Sequence, residues 1–397
     1  MTTPLPDDRT ERTRTLLIVG IVVLALVVVG LTAWAIFRPK SKPSAPRTFT
    51  PAQETTASTL ATTIAAETTE TSSTMASGST NATGQGATGS GVAPGGGGGR
   101  AAKIAFLLGN GVFVSNEDGT AARQVAAQVD PSAMFSLSPD GATLALVSGT
   151  DTKSLQLIDV ASGQSVQVPG AIDLPDWSPD STWVAYTVNN AGSFAIRRVN
   201  RDGSGDTLLA ARGADAEISP DGGKVAYALD QPPSANESLQ VLDLLSNKTQ
   251  VVPKSTGAVH WEWGPDGSLY FVQPGKNGSF SVGMAVPSLA SARTLGSLVA
   301  SGQAGGPGDL YPSPNGAKVL LTSVGDDGYS RMYLLDVKSG KVTQLATRHD
   351  AYPLGWTLDG KHILFVEGNA FQGEATSLYR IDPDGSLRLM VVGGAGI

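Results

Sequence analysis

Met134-Phe135-Ser136-Leu137-Ser138-Pro139-Asp140-Gly141-Ala142-Thr143-Leu144-Ala145-Leu146-Val147 reads as an apolar strand, a tight turn and a second apolar strand. Pro139 presets φ at the second turn position, Asp140 can bond its own backbone, and Gly141 accepts a positive φ. The turn returns as Ser178-Pro179-Asp180-Ser181, Ser219-Pro220-Asp221-Gly222, Gly264-Pro265-Asp266-Gly267, Ser313-Pro314-Asn315-Gly316 and Thr357-Leu358-Asp359-Gly360. Consecutive copies lie 40 to 49 residues apart. A period in that range marks a stack of like structural units, which fixes the architecture before any single residue is weighed.

Each turn is followed by a short apolar run, among them Val184-Ala185-Tyr186, Val225-Ala226-Tyr227 and Val319-Leu320-Leu321. A second strand comes next, such as Leu155-Gln156-Leu157-Ile158-Asp159, then a Gly- or Asn-bearing turn such as Ser162-Gly163, then a short last strand such as Val166-Gln167-Val168. Four short strands without helical periodicity form one antiparallel sheet. A sheet of about 43 residues cannot bury both faces alone, so its copies must pack face to face around an axis. The expected fold is an all-β propeller of four-stranded antiparallel sheets. Calling the strands a to d, with a entering the turn, there are six a strands but seven b-c-d sets. The extra set is Ile104–Leu107, Val112–Val114 and Arg123–Val125. Seven blades, one of them incomplete, are therefore favoured over six.

These units resemble the WD40-like repeat of TolB-like β-propellers over about residues 103–393, with the turn recurring in register. The resemblance implies a propeller that docks envelope partners through one face of the disc. It is specific for fold and weak for function, because one fold serves many roles. TolB itself, the namesake of that family, carries an α/β domain before its propeller, where this chain has an apolar span and a stalk. A role in a Tol–Pal-like system is therefore not carried over.

Residues 1–15 form a short tail, and Leu16 to Phe37 is a run of 22 residues without a charge, long enough to cross a bilayer as a helix. The alternative is a cleaved signal peptide, for which Ala33-Trp34-Ala35 offers a small-x-small site. Trp34 suits the interfacial position of an uncleaved anchor. Arginines and lysines flank both ends (Arg9, Arg12 and Arg14; Arg38, Lys40, Lys42 and Arg47), so flanking charge does not set the orientation. Residues 38–102 are a Thr/Ser/Gly/Pro-rich linker ending in Gly95 to Gly99, too polar and simple to fold. Such a stalk, with a reach of roughly 40–45 Å, holds a domain off a membrane surface. The expected organisation is therefore a single-pass cell-membrane protein with residues 103–397 as an extracytoplasmic propeller.

The whole chain carries a net charge of −7. Residues 1–99 hold 7 Lys/Arg and 6 Asp/Glu, so the remainder carries 21 against 29, a net −8. An acidic propeller argues against nucleic acid or an anionic lipid surface as the main partner. The Ala/Gly/Val-rich composition has a bacterial character, which lowers the weight of Asn-x-Ser/Thr sequences such as Asn247-Lys248-Thr249 as glycosylation sites.

Catalytic signatures are sparse. There is no cysteine, no Gly-x-Ser-x-Gly elbow, and only three histidines, His260, His349 and His362. His362, beside Lys361 after the last repeat turn, reads as an ordinary exposed residue. Asn200–Asp206 and Asp382–Gly385 look faintly like calcium loops but lack the closing Glu, so hairpin turns account for them better. Phe135, Trp177, Trp263, Tyr311 and Trp356 recur before the turns and read as fillers between blades. Trp261 stands outside that pattern beside His260. No catalytic, cofactor-binding or metal-ligating set is assigned, and no cofactor is expected.

Because strands alternate direction, the a-b and c-d turns share one face of the disc and the longer b-c and d-a loops share the other. Binding residues concentrate on long loops carried by a rigid scaffold. The first residues of each a strand line the channel mouth on that face, and there stand Asp130, Asp173, Asp215, His260 with Trp261, Asp309, and His349 with Asp350. Such a ring could focus a field on a cation, or its members could cap strand entries and bond loop amides. The leading expectation is a non-enzymatic protein-interaction or scaffold module of a bacterial cell envelope, with an envelope protein as partner. A sensor or small-ligand and cation receptor at the channel mouth comes second, and a carboxylate-based hydrolase or lyase third.

Overall fold

A computed structural model of the chain describes residues 103–392, apart from 109, 131–132, 150–152, 191, 231–232, 277, 300–305, 325–328, 346–350, 369–376 and 387. The tail, the Leu16–Phe37 span and the linker lie outside the described residues, as do His349 and Asp350. Those described form 27 strands in seven antiparallel sheets. Six sheets have four strands in sequence order, and the first has three. The fold is a seven-bladed β-propeller.

Blade 1 consists of Lys103–Leu108, Gly111–Asn116 and Arg123–Ala126. Blades 2 to 7 begin with the inner strands Met134–Leu137, Asp176–Trp177, Ala214–Ile218, His260–Trp263, Gly306–Pro312 and Ala351–Trp356. The inner strands of blades 2 to 6 touch one another in succession, which places them around the central axis.

The repeat turn folds as its residues dictate. In blade 2 the Ser138 hydroxyl donates to Asp140 at 2.6 Å, Ala142 N–H donates to the same carboxylate at 3.0 Å, and Thr143 N–H donates to Ser138 Oγ at 2.9 Å. Blade 4 repeats the pattern with Ser219, Asp221, Gly223 and Lys224 at 2.6–2.9 Å. The Asp of these turns is thus consumed locally, and Ser219 with the Gly223 amide holds the Asp221 carboxyl below its usual range. The fourth turn position has φ of 67° at Gly141 and 71° at Gly222. Ser181 adopts 61° without being glycine, and its hydroxyl accepts Asp140 N–H from the preceding blade at 3.0 Å. That bond offsets part of the cost of a side chain in the left-handed region.

Hydrophobic packing between neighbouring sheets makes the core. Seven separate clusters occupy the seven seams, each drawing apolar side chains from two adjacent blades. The seam between blades 7 and 1 joins Leu354, Leu364, Val366 and Leu378 to Ile104 and Phe106, all at most 1% exposed. Leu358 N–H of blade 7 also donates to Glu117 Oε1 of blade 1 at 3.1 Å. Side-chain packing between whole blades closes the ring here, beside a first blade with three described strands.

Candidate functional site

Counting back from the first residue of each repeat turn gives the inner strands a common register. In blades 2, 4 and 5, residues one and three before the turn face the preceding blade, whereas the register shift near Gly355 turns Leu354 of blade 7 to the seam with blade 1. Trp177, Trp261 with Trp263, and Leu310 are packed in the seams behind them. The tryptophans one residue before the turn repeat one contact: Trp177 Nε1 donates to Ser136 O at 3.3 Å, Trp263 Nε1 to Glu217 O at 3.0 Å, and Trp356 Nε1 to Tyr311 O at 2.9 Å. In each case the acceptor is the carbonyl two residues before the turn of the previous blade. Phe135 and Tyr311 are also buried in seams. The recurring aromatics are therefore wedges between blades. Trp261, expected to lack a counterpart, shares its register with Phe135, three residues before the turn; only a common register makes that visible.

Residues two before the turn lean toward the next blade, and they hold Ser136, Asp176, Glu217, Glu262 and Tyr311. Ser136 Oγ donates to Pro175 O at 2.5 Å, and Tyr311 OH reaches Pro353 O at 3.4 Å. Asp176 Oδ2 accepts Ile218 N–H at 2.6 Å, and Glu262 Oε1 accepts Trp263 N–H at 3.0 Å. Three consecutive blades thus put a carboxyl at one depth of the channel wall. Sequence reasoning confined to the first residues of each inner strand missed this tier, although the spacing from the turn displays it.

Two residues nearer the long-loop face stand Asp215, His260 and Asp309, in blades 4, 5 and 6. His260 Nδ1 lies 3.3 Å from Asp309 Oδ1. Asp173 is set one residue further from its turn and joins this tier through hydrogen bonds. Its Oδ1 accepts Thr187 N–H and its Oδ2 accepts Asp215 N–H, both at 3.0 Å. Asp215 holds a φ of 54°, and its strand bulges between Ala214 and Glu217. Asp130 Oδ2 accepts Gly149 N–H within its own blade at 3.0 Å. Of the residues expected at the channel mouth, the structure gathers Asp173, Asp215, His260 and Asp309 into an arc over blades 3 to 6.

Protein surrounds this arc, while Asp176, Asp215 and Glu217 keep partial exposure. Burial pushes Asp176 up to about 7 against its amide bond to Ile218. Burial and then the Asp173 charge push Asp215 up to about 8, moderated by His260. Glu217 is raised well above its usual value by burial and by Glu262, Asp176, Asp215 and Asp309 in turn. Burial would lower His260, but its hydrogen bond and charge interaction with Asp309 prevail and raise it. The arc thus carries protons at neutral pH because low-dielectric surroundings and like charges disfavour full ionisation.

His362, expected to be merely exposed, is partly buried, and its Nδ1 lies 2.7 Å from Asp382 Oδ1. Asp382 sits in the last c-d turn, where folding brings it beside the a-b turn of the same blade. Asp202 and Asp384 accept N–H from Ser204 and Ser386 at 2.9 and 2.8 Å, the geometry of hairpin turns. Among the described residues, no three acidic, histidine or cysteine side chains are grouped to hold a metal ion.

No protein-family profile matches the sequence, and no curated protein matches it either. Solved structures do share the fold. An oligogalacturonate lyase in complex with manganese matches with a TM-score of 0.53 and 18% identity, over 68% of this chain and 82% of that one. A prolyl endopeptidase matches with a TM-score of 0.53 and 17% identity, over 70% of this chain and 46% of that one. TolB from Acinetobacter baumannii matches with a TM-score of 0.48 and 17% identity, over 62% of this chain, which spans 64% of that protein's length. At such identities the likeness establishes the propeller and nothing finer.

Proposed function

We propose that this chain is a non-enzymatic protein-interaction module, tethered by Leu16–Phe37 with its propeller on the outer side of a bacterial cell membrane. The observation that carries the reading is how the channel-wall carboxyls are used. Asp173 and Asp176 each accept a main-chain N–H from the next blade, at 3.0 and 2.6 Å, so they staple inner strands together. Such stapling favours a rigid platform over acid–base chemistry. On the turn face, hydroxyls and carboxylates of the repeat turns satisfy one another. The opposite face carries the longer b-c and d-a connections, which supports it as the surface that meets a partner.

Chemical cross-linking in intact source cells, followed by purification of the tagged full-length chain and mass spectrometry, tests this. The expected result is one envelope protein cross-linked mainly to Leu229–Ser238, Gly325–Ser330 or Glu367–Ser377. Cross-links confined to the repeat-turn face, or a cytoplasmic reporter active when fused after Ile397, would overturn it.

A further inference from the structure

We infer that residues 90–92 form the inner strand of blade 1 and that residues 93–96 are a seventh, degenerate copy of the repeat turn. Blade 1 contributes three described strands where every other blade contributes four. Its first strand, Lys103–Leu108, is nonetheless buried on both sides. Ile104 and Phe106 fill the seam with blade 7, and Ala105 and Leu107 fill the seam with blade 2. The run Ile104-Ala105-Phe106-Leu107-Leu108 holds none of the charges or prolines that protect a strand edge. Gly111–Asn116 pairs along one edge of it. In the other six blades the corresponding strand also pairs with an inner strand on its opposite edge.

The sequence before Lys103 offers that inner strand at the expected distance. Ala93-Pro94-Gly95-Gly96 has proline second and glycine fourth, as in Ser138-Pro139-Asp140-Gly141, and begins 45 residues before it, inside the 40-to-49-residue period. Pro94 presets φ, and Gly96 accepts the positive φ that Gly141 and Gly222 adopt at the fourth position. Ala93 and Gly95 lack the hydroxyl and carboxylate of the other turns, so this copy leans on strand pairing and on Val92. Val92 is the one Val, Leu, Ile, Met or aromatic residue between Ala76 and Ala102, and it stands one residue before the turn. At that position Leu137, Trp177, Ile218, Trp263 and Trp356 each enter the seam with the preceding blade. Lys103 pairs with Asn116 as Thr143 pairs with Asp159, so Ile104 holds the place of Leu144, the partner of Leu137. Val92 thus comes opposite Ile104, in the seam with blade 7. Such a strand can be short, since that of blade 3 is only Asp176–Trp177. Inner strands run from the long-loop face to the turn face. The linker ahead of residue 90 therefore joins the propeller on the long-loop face, the surface that the interaction reading assigns to a partner.

Hydrogen–deuterium exchange of the full-length chain in detergent micelles, read by mass spectrometry, tests this without any substitution. The amides of residues 90–92 should exchange at least about ten-fold more slowly than those of residues 80–84 in the same linker. Val92→Gly should speed exchange across Lys103–Leu108 at least about ten-fold, and Val92→Ile should not. The chain has no cysteine, so Val92→Cys/Ile104→Cys should form a disulfide on mild oxidation, while Thr83→Cys/Ile104→Cys should not. Equal exchange of residues 90–92 and 80–84 would overturn the inference. So would slow exchange of Lys103–Leu108 that depends on protein concentration while residues 90–92 exchange freely, which would give the place to a second copy. Cross-links to a partner are a separate readout, so the interaction reading and this one can fail independently.

Discussion

Asp176 Oδ2 accepts the main-chain N–H of Ile218, 2.6 Å away in the next blade, with a carboxyl that burial pushes up to about 7. One side chain thus joins two inner strands, and its neutral form persists up to about pH 7. Asp176→Ala would orphan a buried amide and should cost about 1–3 kcal/mol in urea denaturation. Asp176→Asn keeps an acceptor and sheds the buried charge, so at pH 8 it should lie within about 1 kcal/mol of the wild type.

The raised carboxyls set a pH dependence whose sign is fixed. In the unfolded chain Asp titrates near 3.8, whereas in the fold Asp176 and Asp215 titrate at about 7 and about 8. Their contribution is fully present below about pH 4 and is lost as pH rises through 7 and 8. The turn carboxylates Asp140 and Asp221 act oppositely: their lowered values contribute above about pH 4, and that contribution is lost in stronger acid. The melting temperature should therefore be higher at pH 5 than at pH 8.5. Asp215→Asn should shrink the difference, and a wild type that melts higher at pH 8.5 would contradict the assignment.

Two tryptophans on one strand provide an internal control. Trp263 donates its indole N–H to Glu217 O at 3.0 Å, whereas the N–H of Trp261 is buried without an acceptor. Substituting each with Phe removes similar volume from the same seam. Trp263→Phe should be the costlier change by about 1 kcal/mol, the net worth of a buried hydrogen bond, as measured by chemical denaturation.

Much of this was legible in the sequence. The repeat turn alone specified strand order and sidedness, because Pro, Asp and Gly at fixed positions permit few backbone paths. The three described strands of the first blade followed from counting seven b-c-d sets against six a strands. The tier of Asp176, Glu217 and Glu262 was equally present in the spacing. At the strand entries, irregular loops and the bulge at Asp215 blur the register and hide it. The pairing of His362 with Asp382 was not legible, since it depends on how two turns of one blade fold against each other. The buried indole N–H of Trp261, which has no acceptor, could not be read either, because it depends on how the ring sits in the seam between blades 4 and 5.

Ring closure depends on one apolar seam. Phe106, fully buried between blades 1 and 7, should cost about 3–5 kcal/mol when replaced by Ala. Glu117→Ala removes the hydrogen bond to Leu358 N–H and should cost about 0.5–1.5 kcal/mol. Urea denaturation of both variants checks the order. An equal or inverted order would place closure in polar contacts.

The most direct measurement is a 13C carboxyl titration of Asp176 and Asp215 by NMR. Midpoints at about 7 and about 8 are expected. Midpoints near 4 for both would contradict the proton-loaded arc and the buried setting that joins the inner strands.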